Sequence, residues 1–189
     1  MKWDNLINTF LKLNSQLNLS SIRDPDGVYQ KHILDSLELS NIFPLADNRK
    51  VCDIGTGGGF PLLPLAMRYP QVHFIGIDAR KKKVEAVNQL IKELNISNAK
   101  AVRSRTEDYE GAFDVITARA VGYIDKVIKR SYPLLNTGGH FVFYKQESEE
   151  EKRDLLQLCK TKNLTLVYEH HYRLFAGDIG RVIYVIKKE

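Results

Sequence analysis

Cysteine is scarce in this chain. Cys52 and Cys159 are the only two among 189 residues. That is too few for a disulfide framework, and no Cys/His set has the spacing of a zinc site. Long apolar runs are missing. No stretch approaches the ~18 uninterrupted apolar residues of a membrane span. The opening residues, Met1 to Asn5, lack the basic-then-apolar layout of a secretory signal. Low-complexity tracts and internal repeats are missing too. These absences lead us to expect a cytoplasmic protein with no metal centre and no membrane partner.

What is there is an average globular composition. Hydrophobic residues make up 43% and charged residues 27%, which excludes disorder. The length fits one domain, and a chain of this size buries roughly 70% of its unfolded surface. The net charge of +5 admits nucleic acid as a partner without demonstrating it. A monomer is the default expectation.

Residues 1–45 read as a helical N-terminal extension and residues 46–189 as an α/β core. Trp3, Leu6, Ile7, Phe10, Leu13 and Leu17 recur at helical spacing. Asp24-Pro25 starts a second helix, a capping residue followed by proline in the first turn. The pattern then alternates. Strands are expected at Lys50–Ile54, Val72–Ile77, Ala99–Arg103, Val115–Ala118 and His140–Tyr144. Helices are expected from about Phe60, over Lys81–Leu94, over Ile124–Leu135 and over Glu147–Lys160. Leu164–Arg173 and Arg181–Lys187 form a closing strand pair without a helix between them, hence antiparallel. The whole predicts a mostly parallel, seven-stranded Rossmann-like sheet with helices on both faces and an antiparallel C-terminal strand.

The richest segment runs from Val51 to Pro61, joining a buried strand to a helix. Gly55, Gly57 and Gly59 stand at alternate positions and let the backbone turn sharply against a ligand. A dinucleotide site wants G-x-G-x-x-G. From Gly55 the sixth position is Phe60, and from Gly57 it is Leu62, so both registers fail. Read from Asp53, the pattern is instead D-x-G-x-G-x-G, the loop that S-adenosylmethionine enzymes use. Asp78 closes the second strand, 23 residues after Gly55. A carboxylate there can accept from both hydroxyls of a ribose. The competing view is a glycine turn that merely connects strand to helix, and Asp78 argues against it. Cys52 reads as a small core residue of the first strand, and Cys159, on a helix, reads as structural.

Several blocks resemble one family. Asn18 to Asp24 resembles N-L-[ST]-x-[IV]-R-[DE], and His32 to Leu37 matches H-I-L-D-S-L. Asp53 to Pro64 resembles D-[IV]-G-[ST]-G-x-G-[FL]-P-x-[IL]-P. Ser104 to Glu107 resembles S-R-[AV]-E, and Ala118 to Ala120 resembles [SA]-R-A. The family is RsmG (GidB), bacterial methyltransferases that modify guanine N7 in 16S ribosomal RNA. The resemblance implies a Rossmann-like S-adenosylmethionine-dependent methyltransferase fold. It also implies S-adenosyl-L-methionine as cofactor and 16S ribosomal RNA or the small ribosomal subunit as partner. By it, Gly55 and Phe60 flank the methionine, Asp78 holds the ribose, Thr106 and Glu107 lie by the adenine, and Arg119 faces cofactor or substrate. Asp53, Gly57 and Gly59 complete the expected cofactor set. The chain departs from the family at Gly58, where proline is usual, at Lys31 for arginine, and at Gln146 for glycine.

Guanine N7 carries an in-plane lone pair and no proton, so attack on a sulfonium methyl needs alignment rather than a general base. His32, Asp35 and Ser36 lie three and four residues apart, on one helix face. His32, Asp35 and Arg119 are the candidate catalytic residues. The alternatives are a satisfied core histidine and a plain surface arginine. Lys31, Arg80, Lys81, Lys82 and Lys145 are the candidate RNA contacts, and Lys126, Lys129 and Arg130 could extend them. The bland view of Arg80 to Lys83 is a solvated first turn of a helix, although basic residues there oppose the helix dipole. Rival functions are a small-molecule methyltransferase, a non-catalytic cofactor-binding ribosome-assembly factor and a dehydrogenase.

Overall fold

The computed structural model describes residues 3–175 and 180–189. Helix α1 (Asp4–Leu17) ends at Asn18, whose left-handed backbone closes the last turn. A helical stretch follows in pieces: α2 (Pro25–Val28), a π-helical turn (Tyr29–Leu34), α3 (Asp35–Leu37) and α4 (Leu39–Ile42). Asp24 caps α2 by accepting from the Gly27 amide. The helix at Asp24-Pro25 is therefore where the sequence puts it. Its π turn is not legible from apolar spacing, because six residues are too few to reveal a change of period.

The α/β part comprises β1 (Lys50–Ile54), α5 (Leu62–Arg68), β2 (His73–Asp78), α6 (Lys81–Glu93), β3 (Ala99–Arg103), β4 (Phe113–Arg119) and α7 (Ile124–Ser131). Then come β5 (Leu135–Gln146), α8 (Glu149–Lys162), β6 (Leu164–Tyr172) and β7 (Arg181–Lys188). The seven strands order as β3-β2-β1-β4-β5-β7-β6, with only β7 antiparallel to its neighbours. This is the expected architecture. Most boundaries fall within two residues of expectation, and two differ by more. The helix predicted to reach Leu135 stops at Ser131, since Pro133 pulls the chain into a 3-10 turn. Strand β5 begins at Leu135 rather than His140 and runs through Gly138-Gly139, with a bulge against β4.

Strand alternation builds two cores. Val115, Val142, Tyr144, Ile183 and Val185 face one side with the N-terminal helices, α5 and α6. Ile116, Phe141, Phe143, Val182, Tyr184 and Ile186 face the other with α7 and α8. The inner strands β1, β2, β4, β5 and β7 are thus buried on both faces, which explains their apolar runs, while the edge strands β3 and β6 stay partly exposed. The residues of α1 share the first core, so the N-terminal helices are packed onto the sheet. Among the described residues no helix is long and apolar enough to cross a membrane.

Candidate functional site

The site lies where β1, β2 and β4 end. The amides of Gly55 and Thr56 both donate to the Ile77 carbonyl, so the glycine loop hangs from β2. Gly55 has φ +65°, and a Cβ there would collide with Val121 Cγ1. Gly59 has φ +91° and would meet Leu63 Cδ1 at 2.6 Å. Neither position admits a side chain. Asp78 is buried and organises the loop. Its Oδ2 accepts from the Gly57 amide at 3.1 Å, and its Oδ1 accepts from the Arg80 amide at 2.9 Å.

A cleft of about 510 Å³ opens beside this loop, walled by Gly55, Asp78, Thr106, Glu107, Val121 and Tyr123. Four of the expected cofactor residues thus meet on one cavity, although three strands contribute them. Gly57 and Phe60 line a smaller adjoining cavity of about 170 Å³ with His32 and Arg119. Gly59 instead faces the core. Asp53 also lies beneath the loop rather than on a cavity wall. It is buried, its Oδ1 accepts from the Thr117 hydroxyl at 2.8 Å, and its Oδ2 has no hydrogen bond. Burial raises its pKa to about 6, opposed by the hydroxyls beside it and by the charge of Arg119.

His32, Asp35 and Arg119 meet in three dimensions. Arg119 Nη1 donates to Asp35 Oδ2 at 2.8 Å and to the Lys31 carbonyl at 3.1 Å. Its Nη2 lies 3.1 Å from His32 Nδ1. Guanidinium only donates, so Nδ1 is the acceptor and the neutral ring carries its proton on Nε2. That proton goes to Ser20 Oγ, 2.8 Å away. The ring stacks on Phe60 with centroids 4.6 Å apart, and Phe10 meets both rings edge-on. Burial, and then the Arg119 charge, lower the His32 pKa to about 3. This histidine is therefore neutral at physiological pH, with both nitrogens engaged.

Asp35 is fully buried and serves two further partners. Arg181 binds it through Nε at 2.7 Å and Nη2 at 3.0 Å, and the Tyr172 hydroxyl donates to Oδ1 at 2.6 Å. Ser36 Oγ donates to the His32 carbonyl, and Tyr144 donates to the Ser36 carbonyl, so Ser36 is part of the frame. Sequence reasoning missed Arg181, Tyr172, Ser20 and Asn14. Asn14 is buried in α1 and grips the next loop, accepting from Ser20 N and donating to the Ile22 carbonyl. Two signals were available. Asn14 lies on the apolar face of α1, and Arg181 heads a strand whose next five residues are buried.

The candidate RNA contacts scatter more widely. Arg80 Nε reaches Asp78, and Lys81 pairs with Glu85 one turn on. Lys82 is exposed on the same helix. Lys31 sits 5.5 Å over the Phe175 ring. Lys145 differs, because its ammonium is engaged at the surface by the Gly122 carbonyl at 2.7 Å and Glu151 at 2.6 Å. Gln146 pairs with Arg181 in the β5–β7 ladder, so the chain continues as strand where the family has glycine.

The strand order, the glycine loop after β1 and the acid ending β2 define a Rossmann-like methyltransferase fold. It superposes on the ribosomal protein L11 methylase of Lactobacillus delbrueckii subsp. bulgaricus with a TM-score of 0.62, over 82% of this chain and 77% of that one, at 15% identity. The chain belongs to the GidB family, rRNA small subunit methyltransferase G, whose model matches residues 1–173. Relatives named ribosomal RNA small subunit methyltransferase G support this. That of Macrococcus caseolyticus is 35% identical over 187 residues, 96% of this chain and 79% of the relative. That of Lysinibacillus sphaericus is 33% identical over 182 residues, 93% and 76%.

Proposed function

We propose that this protein transfers the methyl group of S-adenosylmethionine to N7 of a guanine in the 16S RNA of the small ribosomal subunit. One observation carries the reading. The large cleft, the smaller cavity under Phe60 and a third cavity of about 380 Å³ at the ends of β4 and β5 all share Ala120 as a wall. A donor cavity and an acceptor cavity that meet at one point are what a direct group transfer requires.

The residues present fit the cofactor. Asp78 spends one lone pair of Oδ2 on the Gly57 amide, which leaves capacity to accept from a ribose. Gly57 would place a Cβ no nearer than 3.6 Å to any neighbour, so backbone lines that cavity where a side chain could have filled it. Thr106 and Glu107 line the same cleft as Asp78, which suits the expected adenine position. Asp53 is buried below the loop, and once ionised its charge would favour a cationic group above it. When bound, S-adenosylmethionine supplies an electrophilic sulfonium methyl.

The chain itself positions and excludes water. Arg119 uses three of its five N–H groups on Asp35, Lys31 and His32. The remaining two can meet a carboxylate or phosphate at the wall it shares between cavities. His32 has no free lone pair to act as a base, and N7 needs none. We read His32 and Asp35 as positioning residues, which hold Arg119 and Phe60 in place. Membership of an rRNA methyltransferase family favours ribosomal RNA over a small-molecule acceptor.

The test uses purified protein, methyl-labelled S-adenosylmethionine and small subunits that lack N7-methylguanosine. Label at a single guanine, located by strand scission at the modified base, is the expected result. No label, with cofactor binding shown by calorimetry, would overturn the reading.

A further inference from the structure

Helix α7 turns its apolar residues Ile124, Val127 and Ile128 into the core. What it leaves outside is unusual. Tyr123, Lys126 and Arg130 follow one another at spacings of three and four and so form one stripe. Lys129 stands beside it. Tyr123 is 64% exposed, the most exposed large hydrophobic side chain among the described residues. Its ring is met by Lys126 Nζ, 5.3 Å from the centroid. Among the described residues none of Lys126, Lys129 and Arg130 forms an ion pair.

The placement of the stripe matters as much as its composition. Tyr123, Lys126 and Arg130 border the large cleft. Lys126, Lys129 and Arg130 border an outer groove of about 540 Å³ that runs on toward Pro133. Lys126 and Arg130 therefore form a ridge between the cleft and a groove leading away from it. Glu107 borders both cavities as well, and Asp125 is exposed on the neighbouring line of the helix.

We propose that this stripe is a docking surface for single-stranded RNA, on which Tyr123 stacks a base next to the target nucleotide and Lys126, Lys129 and Arg130 track the phosphates leading away. The proposal rests on the RNA reading above and names where that RNA lies. The chemistry is specific to a single strand. Aromatic stacking needs an unpaired base face, and cations at successive turns match a phosphate backbone. A small-molecule acceptor would have no use for cations in a groove that leads away from the cleft. A merely solvated helix face would not need an uncovered tyrosine at its head.

The test compares wild type with Lys126→Ala/Lys129→Ala/Arg130→Ala, Tyr123→Ala and Tyr123→Phe. Affinity for small subunits lacking N7-methylguanosine is read by filter binding from low to moderate salt. Methyl transfer and calorimetric binding of S-adenosylmethionine are read on the same samples. All the altered side chains are exposed, so unchanged thermal melting is the folding control. For the triple variant we expect a weaker particle Kd and a log–log salt slope reduced by about 2. For Tyr123→Ala we expect about tenfold weaker binding, with Tyr123→Phe near wild type. The single variant Lys129→Ala, whose side chain borders the outer groove and not the cleft, should weaken particle binding and leave cofactor affinity within about twofold.

Unchanged particle affinity and salt slope would overturn the proposal, leaving a solvated face. A parallel loss of cofactor affinity would also overturn it, assigning the residues to the cofactor cleft. Absence of methyl transfer by the wild type is a separate result. It would sink the proposed reaction, while the binding series still decides the docking surface.

Discussion

Arg119 and Asp35, 84 positions apart in the chain, meet at 2.8 Å with the carboxylate wholly buried. The contact joins the end of β4 to the N-terminal helical stretch. Arg181 and Tyr172 close on the same carboxylate from β7 and β6. One acid thereby ties three parts of the fold to the residue that walls two cavities.

Asp35→Ala should cost about 3–5 kcal/mol, because it strands two partly buried guanidinium groups. Asp35→Asn keeps acceptor capacity and should cost less. Urea denaturation of both variants measures this. Equal stability of Asp35→Ala and wild type would show that the network contributes nothing net.

The pH dependence of stability should carry two opposed contributions. His32 is held near 3 in the folded protein against 6.5 unfolded. Between those values the unfolded chain binds the extra proton. The His32 contribution is thus complete above about pH 6.5 and is lost as pH falls toward 3. Asp53 is raised to about 6 from 3.8. Its protonated form favours the folded state, so its contribution is present below about 3.8 and lost as pH rises through 6. His32→Gln should flatten the first slope and Asp53→Asn the second, in denaturation midpoints followed from pH 4 to 8.

Asp53 should also shape cofactor binding. Ionisation of its carboxyl near pH 6 favours a cationic ligand above it. Calorimetric affinity for S-adenosylmethionine should therefore rise from pH 5 to 7 in wild type. Asp53→Asn should bind more weakly at pH 7 and show a flat profile. A wild-type profile already flat over that range would remove this role.

Asp78→Ala should weaken S-adenosylmethionine binding at least tenfold, about 1.4 kcal/mol. The variant loses a ribose acceptor and also frees the Gly57 amide. Asp78→Asn, which can still accept from that amide, separates the two effects. If both bind like wild type by calorimetry, Asp78 has no part in holding the ribose.

Much of the site was legible because its signals are local. The turn from β1 into α5 is written in Gly55, Gly57 and Gly59, whose left-handed backbones a residue without Cβ adopts at no steric cost. Asp78 is legible because it ends an apolar run of period-2 alternation. Arg181 and Tyr172 were not legible as partners of Asp35, because nothing near them in the chain refers to a residue 146 or 137 positions away. The shared face of His32 and Asp35 was legible as helix spacing. Their joint hold on Arg119 was not, since it depends on how the π turn sits over the end of β4.

By itself, the sequence determined the succession of strands and helices, the glycine loop and the acid that follows it. Hydrophobic periodicity and backbone permissiveness act over a few residues and need no fold to be read. Only the tertiary structure decided the protonation and tautomer of His32, the burial of Asp53 beneath the loop and the pairing of Lys145 with Glu151. Each depends on desolvation or on partners brought from other segments, and both arise only when the sheet assembles.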